Sequence, residues 1–241
     1  MHNLESVFAT QKVGDIVAEN YHSAGVFREF GIDFCCGGGI TLKEACEQNH
    51  LDLDQVTGKL KQTSGSMASD SSNFNEWDPD LLIDYIEKSH HRFVRRKTTE
   101  IAAYAEKVAR VHGHRHPENV EIFQSFIRLS RELLEHLQEE ENTVFPLIRR
   151  FFNRFSDNGN PDDQLKTELR NELAKMVDDH QGAGELMAHI RELSNSFTPP
   201  PDACTTYQVL YQNLAGFEQD LHKHVHLENN ILFRKAGVLL N

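Results

Sequence analysis

His136 and Glu140 stand four residues apart, and so do His224 and Glu228. Both pairs open segments that read H-x3-E-x4-F, ending at Phe145 and Phe233, and the two copies lie 88 residues apart. One segment earlier, His91 precedes His136 by 45 residues and His180 precedes His224 by 44. Residues i and i+4 share one face of an α-helix. The repeat therefore demands helices, arranged as two similar halves, each offering one His and then His-x3-Glu. The punctuation agrees. Asp78-Pro79 is an N-cap followed by Pro at the first helical position, and a helix is expected from there to about Val111. Gly113 to Pro117 breaks it, and a second helix runs to about Asn153. The turn cluster Ser156 to Pro161 precedes a third, ending near Asn195. Phe197-Thr-Pro-Pro-Pro201 cannot continue a helix, and a fourth runs from about Ala203 to Lys235. Four rods of about 45 Å each predict an all-α, up-down-up-down four-helix bundle.

The chemistry follows from the spacing. Four imidazoles and two carboxylates, with every rod contributing, can converge on the bundle core. A mixed N/O set with two carboxylates able to bridge suits a pair of iron or manganese ions about 3.5–4 Å apart, and a structural zinc site would favour Cys and four ligands. One H-x3-E alone reads as a surface ion pair worth a few tenths of a kcal/mol; two copies with matching Phe and matching upstream His read as a metal site. The candidate ligands are His91, His136, Glu140, His180, His224 and Glu228. The repeat register selects His91 over its neighbour His90. Glu132, one turn before His136, is either a partner behind the ligands or a proton relay, or an ordinary polar residue. Asp179 beside His180 points about 100° away. His222 and His226 flank His224 by two positions and are expected to face outward. His112, His114 and His116 occupy a solvated loop; His2, His22, His50 and His189 have no partner pattern.

Residues 1–62 predict a separate small helical unit. Val13, Ile16, Val17, Tyr21, Val26, Phe27 and Phe30 form short apolar stripes, Gly31 stops a helix, and Thr41-Leu-Lys-Glu44 is a capping box. Residues 63–73 are small and polar, and 63–77 read as a linker, leaving 78–241 for the bundle. Before the capped helix lies Asp33-Phe-Cys35-Cys36-Gly37-Gly-Gly39. A helix N-terminus there would lower a thiol pKa and populate thiolate; a tight turn with two buried Cys is the competing reading. Cys46 and Cys204 are expected to pack.

Of the 241 residues, 25 are basic and 37 acidic, a formal charge of -12. That field repels phosphate backbones and anionic lipid, so neither nucleic acid nor membrane is expected as partner. No apolar stretch approaches the roughly 18 residues of a membrane helix, and the N-terminus does not read as a secretory signal. Four Cys, two of them adjacent, do not make a disulfide scaffold; a reducing cytoplasm fits.

GIDFCCGGG with TLKEAC, together with SHHRFVRR, LLEHLQEEENTVFP, DDHQGAGELM, TPPPDACTTYQVLY and LHKHVHLENNILF, resembles the repair-of-iron-centres family, the YtfE/ScdA iron-sulfur cluster repair group. The likeness spans nearly the whole chain and implies a ScdA-type N-terminal domain before a hemerythrin-like bundle. The family's iron ligands fall on the six residues above, with Glu140 and Glu228 bridging a non-haem di-iron centre that is also oxo-bridged. Its acidic residues near the iron fall on Glu132 and, in shortened form, Asp179; its paired cysteines fall on Cys35 and Cys36. What the resemblance implies is a cytoplasmic stress protein that restores iron-sulfur clusters damaged by nitric oxide or peroxide through iron donation. Damaged iron-sulfur proteins are then its clients, nitric oxide is a ligand, and the state is a homodimer. Two alternatives stand beside this: a nitric oxide reductase forming N2O, with Glu132 relaying protons, and a nitric oxide or redox sensor.

Overall fold

The computed structural model describes residues 4–64, 73–156, 159 and 161–240. Most of the expected linker, and the middle of the turn cluster 156–161, lie outside the described residues, as does His2. The described residues form no strand; one isolated antiparallel bridge joins Lys12 and Thr41. None of their helices is long and apolar enough to cross a membrane.

The chain divides into two compact units, one of residues 1–82 with Val225–Leu239, the other of Ile83–His224 with Leu240. The last helical stretch has residues in both units.

In the first unit five short helices follow one another: α1 (Leu4–Thr10), α2 (Val13–Glu19), α3 (Ser23–Glu29), α4 (Leu42–Gln48) and α5 (Leu53–Ser64). Val13, Ile16, Val17, Phe27, Leu42, Val56 and Leu60 are buried among them, as the apolar stripes require. Gly31 ends the α3 turn at φ +68°, a backbone conformation that a Cβ disfavours. Thr41 caps α4 in a complete capping box: its Oγ1 accepts from Glu44 N at 3.2 Å, and Glu44 Oε2 accepts from Thr41 N at 2.8 Å. The turn before that cap is laced to the start of α2, where Gly14 N donates to Gly38 O at 2.9 Å and Val13 N to Ile40 O at 3.0 Å. The approach is so close that a Cβ on Gly38 would lie 2.4 Å from the Phe34 carbonyl oxygen.

The long rods are α6, built from Pro79–Tyr85, Ile86–His91 and Arg92–His112; α7, from Glu118–Glu139, Glu140–Val144 and Phe145–Ser156; α8 (Asp163–Leu193); and α9, from Thr205–His226, Leu227–Leu232 and Phe233–Leu240. The middle segments of α6, α7 and α9 are π-helical. In the second unit, α6 packs on α7 and α7 on α8, and Phe126, Leu129, Ile101, Met187, Leu214 and Phe217 fill the core. Phe126 meets Phe217 edge-on at 5.4 Å, and Asn119 Nδ2 donates to the buried Tyr207 hydroxyl at 2.7 Å. The fourth rod runs five residues past its expected end. Its last turns, from Val225, belong to the first unit, where Leu227, Ile231 and Leu232 are buried and Arg234 pairs with Asp15.

Candidate metal centre

Three of the four rods leave α geometry at one place each, and each place carries an expected ligand. His91 closes the π turn of α6, Glu140 opens that of α7, and Glu228 lies in that of α9. Only α8 reaches its ligand, His180, through uninterrupted α-helix. An inserted residue re-aims the side chains beyond it, and single π turns recur at functional sites.

Within the second unit, Glu140 is fully buried and faces imidazoles on two sides. Its Oε2 lies 3.4 Å from His91 Nε2; its Oε1 lies 3.3 Å from His136 Nε2 and 3.9 Å from His180 Nε2. His136 Nε2 and His180 Nε2 approach to 2.9 Å, so at most one of them carries a proton there. His224 sits against His91 with ring centroids 5.0 Å apart. Glu228 follows His224 by four residues on the same continuous helix and is also fully buried. Taken by ligand atoms, His91, Glu140 and His224 of the second unit lie within 4.8 Å of one another, and so do His136, Glu140 and His180. Glu140 belongs to both groups. Burying two carboxylates is costly unless positive charge is at hand, and imidazole with carboxylate is a donor set for borderline and hard divalent cations. The residues fit bound metal.

Carboxylates stand behind the imidazoles. His91 Nδ1 meets Glu141 Oε1 at 2.7 Å, and Arg95 grips both oxygens of Glu141 at 2.8 Å each. Burial would raise the Glu141 carboxyl, but the hydrogen bonds from Arg95 and His91 outweigh it and hold the group below its ordinary value. His136 Nδ1 meets Asp179 Oδ2 at 3.4 Å. Such partners fix the ring orientation and tautomer of a ligating His. Glu141 was not singled out from sequence, although its place next to Glu140 was the available signal. Asp179 reaches the site through His136 on the neighbouring rod, not through His180. His90, set aside by the register, is buried and stacked on His224 with centroids 5.6 Å apart, its Nδ1 3.0 Å from Asp220 Oδ1.

Glu132 is not brought to either group. It lies partly exposed and accepts from Arg128 Nε at 2.8 Å. His226, expected to face outward, is 1% exposed and packs against Tyr21 and Phe34 in the first unit; burial pushes its pKa down to about 4. His112 and His116 are not merely solvated: His112 Nε2 lies 3.3 Å from Cys204 Sγ, and His116 pairs with Glu118 and Asp202. Cys204, expected to pack, is exposed, whereas Cys46 is buried.

Cys35 and Cys36 lie in the loop before α4, with their Sγ atoms 3.9 Å apart. The expected acidic thiol is not found at Cys35. Its pKa is raised, first by the hydrogen bond with Cys36 and then by burial and the nearby charge of Asp33. The loop amides that would favour a thiolate are taken by Asp33, whose Oδ1 accepts from Cys35 N at 2.9 Å and Cys36 N at 3.0 Å, and whose Oδ2 accepts from Gly37 N at 2.9 Å.

Comparison with known proteins bears on this arrangement. Residues 81–236 match the hemerythrin HHE cation-binding domain, and residues 9–64 match the ScdA N-terminal domain, itself described as a domain of unknown function. A protein of Staphylococcus haemolyticus named iron-sulfur cluster repair protein ScdA is 32% identical, over 92% of this chain and 96% of its own length. A probable iron-sulfur cluster repair protein of Haemophilus influenzae is 32% identical over 95% of this chain and 97% of its own. The chain belongs to the ScdA/YtfE family. A YtfE protein of Dickeya chrysanthemi, also named for iron-sulfur cluster repair, is 30% identical over 95% of this chain. The match to a cation-binding domain and the buried His/Glu groups fall on the same rods, which supports metal binding by this ScdA/YtfE member.

Proposed function

We propose that this protein repairs iron-sulfur clusters damaged by nitrosative or oxidative stress, and that it does so by donating iron. The observation that carries the reading is Glu140, buried between imidazoles, with one oxygen toward His91 and the other toward His136 and His180. In this reading His91, His136, Glu140, His180, His224 and Glu228 would hold a non-haem di-iron centre. When bound, the irons supply a store whose retention depends on oxidation state, since N/O donors grip Fe(II) less firmly than thiolate-rich clusters do. Glu141 and Asp179 keep the His91 and His136 rings turned inward by accepting their other N–H, and Arg95 keeps Glu141 charged.

The names of the relatives support repair, and the nitric oxide reductase and sensor readings are not favoured. Iron is the cargo and damaged iron-sulfur proteins are the clients, with residues 1–62 as a thiol-bearing unit, 63–77 as linker and 78–241 as the iron-holding bundle. Cys35 and Cys36 receive or hand on the ion. Nitric oxide is a ligand of the loaded centre, the protein acts in the cytoplasm, and it works as a homodimer. The test is to load the full chain with isotopically labelled iron and incubate it anaerobically with a nitric-oxide-damaged dehydratase. Label should appear in the client's cluster as activity returns. Activity restored with all label left in the donor would sink the reading.

A further inference from the structure

The loop before α4 carries a third set of donors. Asp33, Cys35 and Cys36 offer ligand atoms all within 4.8 Å of one another. We propose that they form a second, three-ligand site for a divalent cation of borderline softness, such as Zn(II) or Fe(II), with its fourth position open.

The distances suit such an ion. A tetrahedral cation with metal–sulfur bonds of about 2.3 Å separates its two sulfurs by about 3.8 Å, and a carboxylate oxygen at about 2.0 Å lies about 3.5 Å from each sulfur. The two Sγ atoms are 3.9 Å apart, and Cys35 Sγ is 3.3 Å from Asp33 Oδ1. The framework is set in advance. Asp33 is held by the amides of Cys35, Cys36 and Gly37. Asn230, from the part of α9 in the same unit, donates to the Phe34 and Cys35 carbonyls at 3.2 and 3.1 Å. Gly38 allows the close pass that folds the loop back on itself. Cys35 forms the buried floor, while Cys36 is half-buried and Asp33 exposed, so an ion can enter. Binding exchanges two S–H bonds for two metal–sulfur bonds and releases two protons to solvent, with no change of oxidation state. Loss of the Cys35 proton also frees Asp33 Oδ1 from the sulfur it faces. Three protein ligands with one open position is the arrangement of sites that exchange a ligand, in contrast to closed structural sites.

Ion binding here does not depend on the repair reading, and the test keeps them apart. The full chain, kept reduced and anaerobic with its bundle first saturated with iron, is titrated with Co(II). Expected is about one Co(II) per chain with a near-ultraviolet sulfur-to-cobalt charge-transfer band. The Cys35→Ser/Cys36→Ser double variant should lose that band, and Asp33→Asn should bind at least about tenfold more weakly. Because Asp33 also holds loop amides, Cys36→Ser alone serves as the second variant. It leaves the backbone hydrogen bonds in place and should weaken binding at least as much, with circular dichroism unchanged. No band in the wild type, a band surviving in the double variant, or wild-type affinity in either Asp33→Asn or Cys36→Ser overturns the proposal.

Discussion

The two donor regions hold their side chains by opposite means. In the bundle, ligands are spaced along rigid rods, and direction comes from helical period, retuned by one π turn in each of three rods. In the loop before α4, direction comes from backbone amides closing on one carboxylate, Asp33, with no regular element involved. Rods tolerate the loss of one side chain without losing their course, because their cores are fixed elsewhere by residues such as Phe126 and Phe217. The loop has no such reserve. Mutations in the bundle site should therefore strip metal and spare the fold, whereas mutations in the loop framework should cost the fold first.

The largest effect is expected from Glu140→Ala. This carboxylate faces both groups of imidazoles, so its removal should take metal content from about two irons per chain to fewer than about one and abolish the Mössbauer signature of a coupled pair. Far-ultraviolet circular dichroism should stay unchanged. Retention of a coupled pair in the variant would refute Glu140 as the shared ligand. Glu132→Ala, by contrast, removes only a partly exposed partner of Arg128 and should leave metal content at the wild-type level.

Next comes the loop. An added Cβ at Gly38 meets the Phe34 carbonyl oxygen at 2.4 Å, whereas one at Gly39 meets nothing within 4 Å. Gly38→Ala should destabilise the protein by about 3 kcal/mol, at the upper end of overpacking costs, and Gly39→Ala should fall within about 0.5 kcal/mol. Urea unfolding measures both. Equal effects would show that the close pass at Gly38 is not what holds the loop.

What could be read from residues alone follows the same division. That His and Glu side chains of the rods gather was legible because i,i+4 spacing translates directly into direction on a helix, and the duplicated H-x3-E cancelled the ambiguity of each single copy. The register also separated His91 from His90, although His90 proved buried as well. The π turns were not legible, since no residue type marks them as Gly marks a helix end. His226 shows the cost of judging a helix face by one neighbour: turned from the bundle core, it is covered by Tyr21 and Phe34. The thiols show a subtler limit. The expectation placed the anion-attracting amides at the N-terminus of α4, which Thr41 caps, whereas the amides nearest the thiols are those of the loop, and Asp33, two residues upstream of Cys35, takes them.

A smaller effect distinguishes direct ligation from orientation. Glu141→Gln keeps a hydrogen-bond acceptor toward His91 Nδ1 but removes the charge that Arg95 pairs with. Iron affinity, measured by chelator competition, should fall about 10–100-fold with stoichiometry at saturation unchanged. A lost equivalent of iron would instead make Glu141 a ligand.

The smallest effect tests the loop from its far side, where α4 begins. Thr41→Ala removes the acceptor for Glu44 N and should cost about 1 kcal/mol. The reciprocal half of the box carries a sign that can be checked. Hydrogen bonds from the Thr41 backbone and side chain lower the Glu44 pKa below its ordinary value of 4.5, against a small opposing effect of burial. A carboxyl whose folded pKa is depressed binds its proton more readily in the unfolded chain. It thus adds stability above the unfolded pKa, and that stability drains away as pH falls through the folded one. Wild type and Glu44→Ala should therefore differ most at neutral pH and converge in acid below pH 4.5. A difference between the two proteins that stayed constant from neutral to acid would mean that Glu44 does not return the hydrogen bond, and that Thr41 caps α4 alone.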